Sequence, residues 1–181
     1  MERHDRRHDG ELRFRPLERD DLALLHEWLQ RPHVQRWWHD RESYEEVVEH
    51  YLPSIAGDDR TDSYVAVLDD RAVGFVQTYL LADHPAYAEL TGVGEGVAGV
   101  DLFIADPRLT GLGLGTELLR RFVDEIVFAR NTTLACVADP DVANTASLRA
   151  FEKAGFRVVG DFVDPEDGQL HALVRRDRER R

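Results

Sequence analysis

Apolar residues recur along this chain with two different periods, and the switches between them mark the elements. Leu22, Leu25, Trp28 and Leu29 fall on one helical face, with Asp20 or Asp21 standing where a cap belongs. Ser43 followed by Glu46 reads as a capping box that opens a second helix, ending near Ile55. Leu114, Leu118, Phe122 and Ile126 make the apolar stripe of a third, and Asn144–Ala154 predicts a fourth with Gly155 as its C-cap. The shorter period predicts strands over Glu11–Pro16, Tyr64–Leu68, Val73–Leu80, Val97–Ile104, Thr132–Val137, Phe156–Phe162 and Leu170–Val174. Asp69-Asp70-Arg71 joins the second and third as a hairpin, and the Gly- and Pro-containing stretch Ala82–Gly96 reads as a loop. Strands interleave with helices throughout. The pattern is that of one α/β (α+β) domain, a mixed central sheet with helices on both faces.

Composition changes this picture little, and charge changes it more. The 181 residues suffice for a single core, read here as residues 11–175 between a leader, 1–10, and a charged tail, 176–181. Thirty-five acidic residues against 23 basic ones give a formal charge of -12, which argues against nucleic acid or an anionic membrane as partner. A cationic substrate fits that balance, as does a plain solubility role for the surface. The lone cysteine, Cys136, excludes an intrachain disulfide, and no Cys/His spacing suggests a metal site. The leader has no apolar core of the signal-peptide kind, and no apolar run approaches the ~20 residues of a membrane span, so the cytoplasm is the expected compartment.

Candidate chemistry begins at Arg108-Leu-Thr-Gly111-Leu112-Gly113-Leu114-Gly115-Thr116, between a strand and a helix. Glycines let the backbone approach a ligand closely, and the first helical N–H groups have no intrahelical acceptor, so the loop suits a pyrophosphate. A P-loop would end in Gly-Lys-Ser/Thr, which is absent. A dinucleotide fingerprint would follow the first strand and space its third glycine farther on. The remaining candidate is the R/Q-x-x-G-x-G/A loop of the GNAT acyltransferases, which Arg108, Gly111 and Gly113 match. Farther on, Asn144-Thr-Ala-Ser147-Leu-Arg-Ala-Phe151-Glu-Lys-Ala-Gly155-Phe156 resembles the GNAT segment that starts with Asn and ends in x-K-x-G-F.

Within that superfamily the chain resembles the aminoglycoside 6'-N-acetyltransferases from about Phe14 to Leu173. The shared features are Trp28-Leu29, Arg36-Trp37-Trp38, His50-Tyr51-Leu52-Pro53-Ser54, Gly74-Phe75-Val76-Gln77, Gly99-Val100-Asp101 and Ala138-Asp139-Pro140. Siderophore-pathway lysine N-acyltransferases share much of this pattern but usually carry histidine at the position of Asp101. The resemblance implies a GNAT fold whose strands Val97–Ile104 and Thr132–Val137 part to admit the pantetheine arm. It implies acetyl-CoA as co-substrate without a metal, a cationic amine as acceptor, and a monomer or homodimer.

Asp101 interrupts an apolar strand just before the glycine cluster. A carboxylate there could hold the acceptor amine and take its proton, or could simply be a structural ion-pair partner. By resemblance Asp139 contacts a second substrate amine. Trp37 and Trp38 could offer a flat wall to a sugar ring, one of them belonging instead to the core. Glu95 and the loop around Asp83–Tyr87 line the acceptor side, and Asp141, Asp164, Glu166 and Asp167 add charge nearby. For the co-substrate, the backbone of Gly111–Thr116 and the side chain of Arg108 receive the pyrophosphate, and Phe103, Ile104 and Ala105 pair with the pantetheine amides as an added strand. Asn144 reaches the arm farther up or acts as an N-cap. Phe151 stands where many GNAT enzymes have a tyrosine able to protonate the leaving thiolate, and it has no proton to give.

Overall fold

The computed structural model describes residues 10–38 and 42–179, so the leader up to residue 9, with His4 and His8, and the last two arginines lie outside the described residues. The elements run β1 (Leu12–Pro16), α1 (Leu22–Leu29), α2 (Pro32–Gln35), α3 (Tyr44–Ala56), β2 (Asp62–Leu68), β3 (Arg71–Leu80), α4 (Pro85–Thr91), β4 (Val97–Ile104), α5 (Leu114–Phe122), β5 (Ala135–Ala138), α6 (Thr145–Lys153), β6 (Arg157–Val163) and β7 (Leu170–Asp177). Seven strands form one sheet in the order β1-β2-β3-β4-β5-β7-β6. Every neighbouring pair is antiparallel except β4 and β5.

Local chemistry accounts for most boundaries. Asp69 and Asp70 both take positive φ, 48° and 63°, which makes the β2–β3 connection a tight turn matched to strand twist. Ser43 and Glu46 form the reciprocal capping box at the start of α3, and Gly57, at φ 81°, ends it. At α1 the cap differs from the expectation. Asp21 makes no cap of its own there; it closes a capping box with Glu18 around the preceding 3-10 turn and holds both Arg15 Nη atoms at 2.6 and 2.7 Å.

Three further differences have physical reasons. The stretch read as a loop contains α4, because Pro85 sits at its N-terminus and Gly92, at φ 66°, stops it; these residues bound a short helix as well as they mark a turn. β5 begins at Ala135, since Leu134 is 62% exposed and its N–H reaches back to the Gly96 carbonyl. β7 runs on to Asp177, past the expected start of the tail. Arg178 then donates to the carbonyls of Phe128, Arg130, Asn131 and Thr133, binding the chain end to the turn that follows α5.

The sheet is covered on both faces. Val76, Ala98 and Val100 pack with Leu119, Phe122 and Val123 of the α5 region and with Phe151 of α6. On the other face Val65, Val67, Phe75, Phe103 and Ala105 pack under α1, α2 and α3. A separate patch on that same face, Val97, Ala135, Val137 and Leu173, lies under Tyr79, Tyr87 and Ala88. Alternation along β4 therefore puts Asp101 between two apolar patches, beside Phe103 on one side and Gly99 on the other.

Candidate active site

The parallel pair β4–β5 is brief. Its register runs Val97↔Ala135, Ala98↔Cys136, Gly99↔Val137, and β4 then continues to Ile104 with no strand partner on that side among the described residues. Ala105 donates its N–H to Val73 on β3 and Gly96 accepts from Leu134 on the other side, so odd-numbered β4 residues spend their backbone on β3 and even-numbered ones face β5. Of the expected Phe103–Ala105 edge, only Ile104 points into the gap, together with Leu102. Two side chains that the sequence reading missed fix the end of this edge: His33 Nε2 donates to the Ile104 carbonyl at 3.0 Å and Arg31 to that of Ala105 at 2.8 Å.

The glycine cluster stands at the end of the same gap. Gly111 and Gly113 adopt φ of 72° and 93°, which only glycine takes without strain. Gly113 is the N-cap of α5 and offers no side chain, so the N–H groups of Leu114, Gly115 and Thr116 begin the helix without a side-chain acceptor. A Cβ on Gly115 would meet Ile104 Cδ1 at 3.6 Å and Ala150 Cβ at 3.9 Å, which places the first turn of α5 against both β4 and α6. Leu112 is exposed between the two left-handed glycines. Arg108 is not idle: its guanidinium grips Asp106 through Nη2 at 2.7 Å and Nε at 3.0 Å, which lowers the Asp106 pKa to about 2. Asn144 caps α6, its Oδ1 accepting from Ser147 N–H at 3.1 Å, which leaves the amide nitrogen as its remaining donor. Phe151 is buried in the core, edge-on to Phe156.

On the α1–α4 face the polar side chains converge. Gln77, directly across from Asp101, donates its amide to Oδ2 at 3.0 Å. Tyr79 hydrogen-bonds the same carboxylate; burial first, and the charges of Asp101 and Asp139 next, push its phenol well above the usual range. Tyr87 of α4 donates to Asp139 Oδ1 at 2.6 Å, and burial raises the Asp139 carboxyl above its ordinary value despite that bond. His171 Nδ1 reaches the Asp139 carbonyl at 2.5 Å while Nε2 reaches Asp167 Oδ2 at 3.0 Å. Both partners are acceptors, so the doubly protonated ring satisfies both, and its pKa is raised although burial opposes the charge. Asp139, Asp164 and His171 bring ligand atoms within 4.8 Å of one another, but the histidine nitrogens are already engaged.

Trp38 settles half-buried on the apolar patch next to Asp101, edge-on to Phe103 at 5.1 Å and Phe75 at 5.9 Å. Trp37 is half-buried and carries the Arg36 guanidinium 4.7 Å from its ring centre. Glu95 stands apart. It precedes β4 and lines a shallow cavity of about 300 Å³ with Leu80, Ala82, Gly96, Thr132 and Leu134, at the end of the strand away from the glycine cluster. Among the residues that sequence reasoning passed over, Gln77 and Tyr79 carried a signal, being polar positions two apart on one face of an otherwise apolar strand.

A parted parallel pair, a helix start without a side-chain cap at its mouth and a carboxylate beside the gap are thus brought together in one place. The family model for the acetyltransferase (GNAT) domain matches residues 18–163. The chain is a GNAT acetyltransferase. This GNAT N-acetyltransferase is 33% identical over 160 residues to an aminoglycoside N(6')-acetyltransferase type 1 of Klebsiella pneumoniae, covering 86% of this chain and 79% of the relative. Its fold superposes with a TM-score of 0.79 on the structure of AAC(6')-Ib in complex with paromomycin and acetyl-CoA, at 30% identity, covering 93% of this chain and 94% of the other. With AAC(6')-Ib bound to coenzyme A and kanamycin the score is 0.78, again at 30% identity, with coverage of 93% and 95%.

Proposed function

We propose that this GNAT acetyltransferase transfers the acetyl group of acetyl-CoA directly to a primary amine of a polycationic small molecule, the 6'-amine of an aminoglycoside. Asp101 carries the reading: it is a carboxylate beside the point where β4 leaves β5. The substrates named for the similar proteins support the choice of acceptor.

Acetyl-CoA supplies an activated thioester carbon. The residues present fit it: the N–H groups from Gly111 to Thr116 receive the pyrophosphate at the start of α5, and the edge at Leu102 and Ile104 bonds the pantetheine amides in place of a strand. Arg108 adds charge when it leaves Asp106, and the Asn144 amide nitrogen donates to the arm. On the acceptor side Asp139 receives a second ammonium group, and Trp37 and Trp38 border the sugar ring. Asp101 takes the proton that the amine sheds as its nitrogen bonds to the acetyl carbon and the C–S bond breaks. The sulfur leaves with that electron pair and is protonated from water or substrate, since Phe151 offers nothing. On this reading the protein works in the cytoplasm, where acetyl-CoA is made and used; none of the described helices is long and apolar enough to cross a membrane.

The test is thiol release from acetyl-CoA with kanamycin- and tobramycin-type aminoglycosides, N-hydroxylysine and a lysine peptide, alongside Asp101→Ala. Aminoglycoside-dependent release should fall about 10²-fold or more in the variant. Release with N-hydroxylysine alone would reassign the protein to siderophore-type lysine acylation, and release with no amine would end the acceptor reading.

A further inference from the structure

Two side chains of β3 reach Asp101, and neither carries a charge. Gln77 is its register partner, and Tyr79 is the partner of Gly99, two residues along the same face. The Tyr79 ring lies across Gly99 so closely that an ideal Cβ there would sit 2.5 Å from two ring carbons and 2.8 Å from the hydroxyl. His84 packs against the ring from one side at 4.6 Å between centres, and Tyr87 from another at 6.3 Å. These contacts hold the ring over Gly99, with its hydroxyl turned toward the Asp101 carboxylate.

We propose that Tyr79, seated in the space that Gly99 leaves by lacking a side chain, is a positioning residue for Asp101: its hydroxyl and the Gln77 amide fix the orientation in which that carboxylate meets the acceptor amine. The inference rests on Asp101 being the carboxylate that faces the amine. Neutral donors suit that task. An arginine would bring a positive charge to the carboxylate as it oriented it, whereas Gln77 and Tyr79 orient it as neutral donors. Burial keeps the phenol protonated, so it remains a donor over the whole working range. Among the described residues, the buried Cys136 thiol on β5 and the Tyr87 phenol on α4 also feel the charge of Asp101, and burial keeps both neutral.

Tyr79→Phe keeps the ring over Gly99 and deletes the donor. In the free protein, the carboxyl-carbon titration of Asp101 should move to higher pH, because a hydrogen bond to the ionised form is lost. In turnover, kcat/KM for the amine should fall about tenfold or more, and its acid limb should move to higher pH, while KM for acetyl-CoA stays put. Gly99→Ala, which pushes the ring aside, should reproduce both effects, and thermal melts of each variant report whether the fold is kept. A Tyr79→Phe protein with the wild-type Asp101 midpoint and acid limb would overturn the proposal. If the wild type turned over no amine at all, the acceptor reading would fail, and the carboxyl titration would still decide whether Tyr79 holds Asp101.

Discussion

Asp139 shows what burying a single carboxylate costs. Its carboxyl is raised by burial, and among the described residues Tyr87 and His171 help the charged form. A raised folded pKa contributes stability below the unfolded value, about 3.9 for aspartate, and that contribution is lost as pH rises through the folded pKa. His171, also raised, contributes stability that is fully present below its ordinary value and is lost as pH rises past it. Asp139→Asn should therefore melt at a higher temperature than the wild type at neutral pH, with the gain shrinking in acid, while KM for a polycationic acceptor rises. A pH series of melts checks it, and an equal or lower melting temperature at neutral pH would count against the argument. Arg108 makes the opposite case: its guanidinium is taken by a neighbour. The half-buried Asp106 holds the exposed guanidinium and also caps the following turn through Arg108 N–H, a bond that asparagine keeps. Asp106→Asn should tighten acetyl-CoA by up to about fivefold in calorimetry, since a surface pair releases little.

At the scale of elements, α5 and its loop were legible because glycine spacing is a local property. Gly113→Ala places a side chain at φ 93°, with a cost of about 1–2 kcal/mol, and should raise KM for acetyl-CoA while leaving KM for the amine unchanged. The capping box of α3 was equally local; Ser43→Ala should cost about 1 kcal/mol in denaturant unfolding and alter neither KM. The stripe predicted from Leu114 through Ile126 drifted, because the last turn widens into a π-helix over Val123–Val127, and Val123 and Val127 are buried where Ile126 is only partly so. What stayed hidden was convergence. Nothing near Asp101 in sequence names Tyr79, which arrives through the register of β3 on β4, and nothing near Asp139 names Tyr87 or His171. Glu95 precedes β4, at the end of that strand away from the glycine cluster.

For the whole molecule, the formal charge of -12 and the carboxylates around Asp139 bear on the acceptor and the co-substrate in opposite senses. Raising salt from about 0.05 M to about 0.5 M should increase KM for an aminoglycoside several-fold and leave KM for anionic acetyl-CoA flat or lower. Steady-state kinetics at the two ionic strengths decide this, and equal shifts for both substrates would argue against charge complementarity. The sheet itself falls into two antiparallel pieces, β1–β4 and β5–β7, joined edge to edge by the short β4–β5 register alone. That join is the place where the sheet can part most readily, and the gap that admits the pantetheine arm is its continuation. A ligand bonded along the free edge of β4 therefore lengthens the seam between two folding units, and in hydrogen exchange the slow amides on either side should begin to open together once acetyl-CoA is bound.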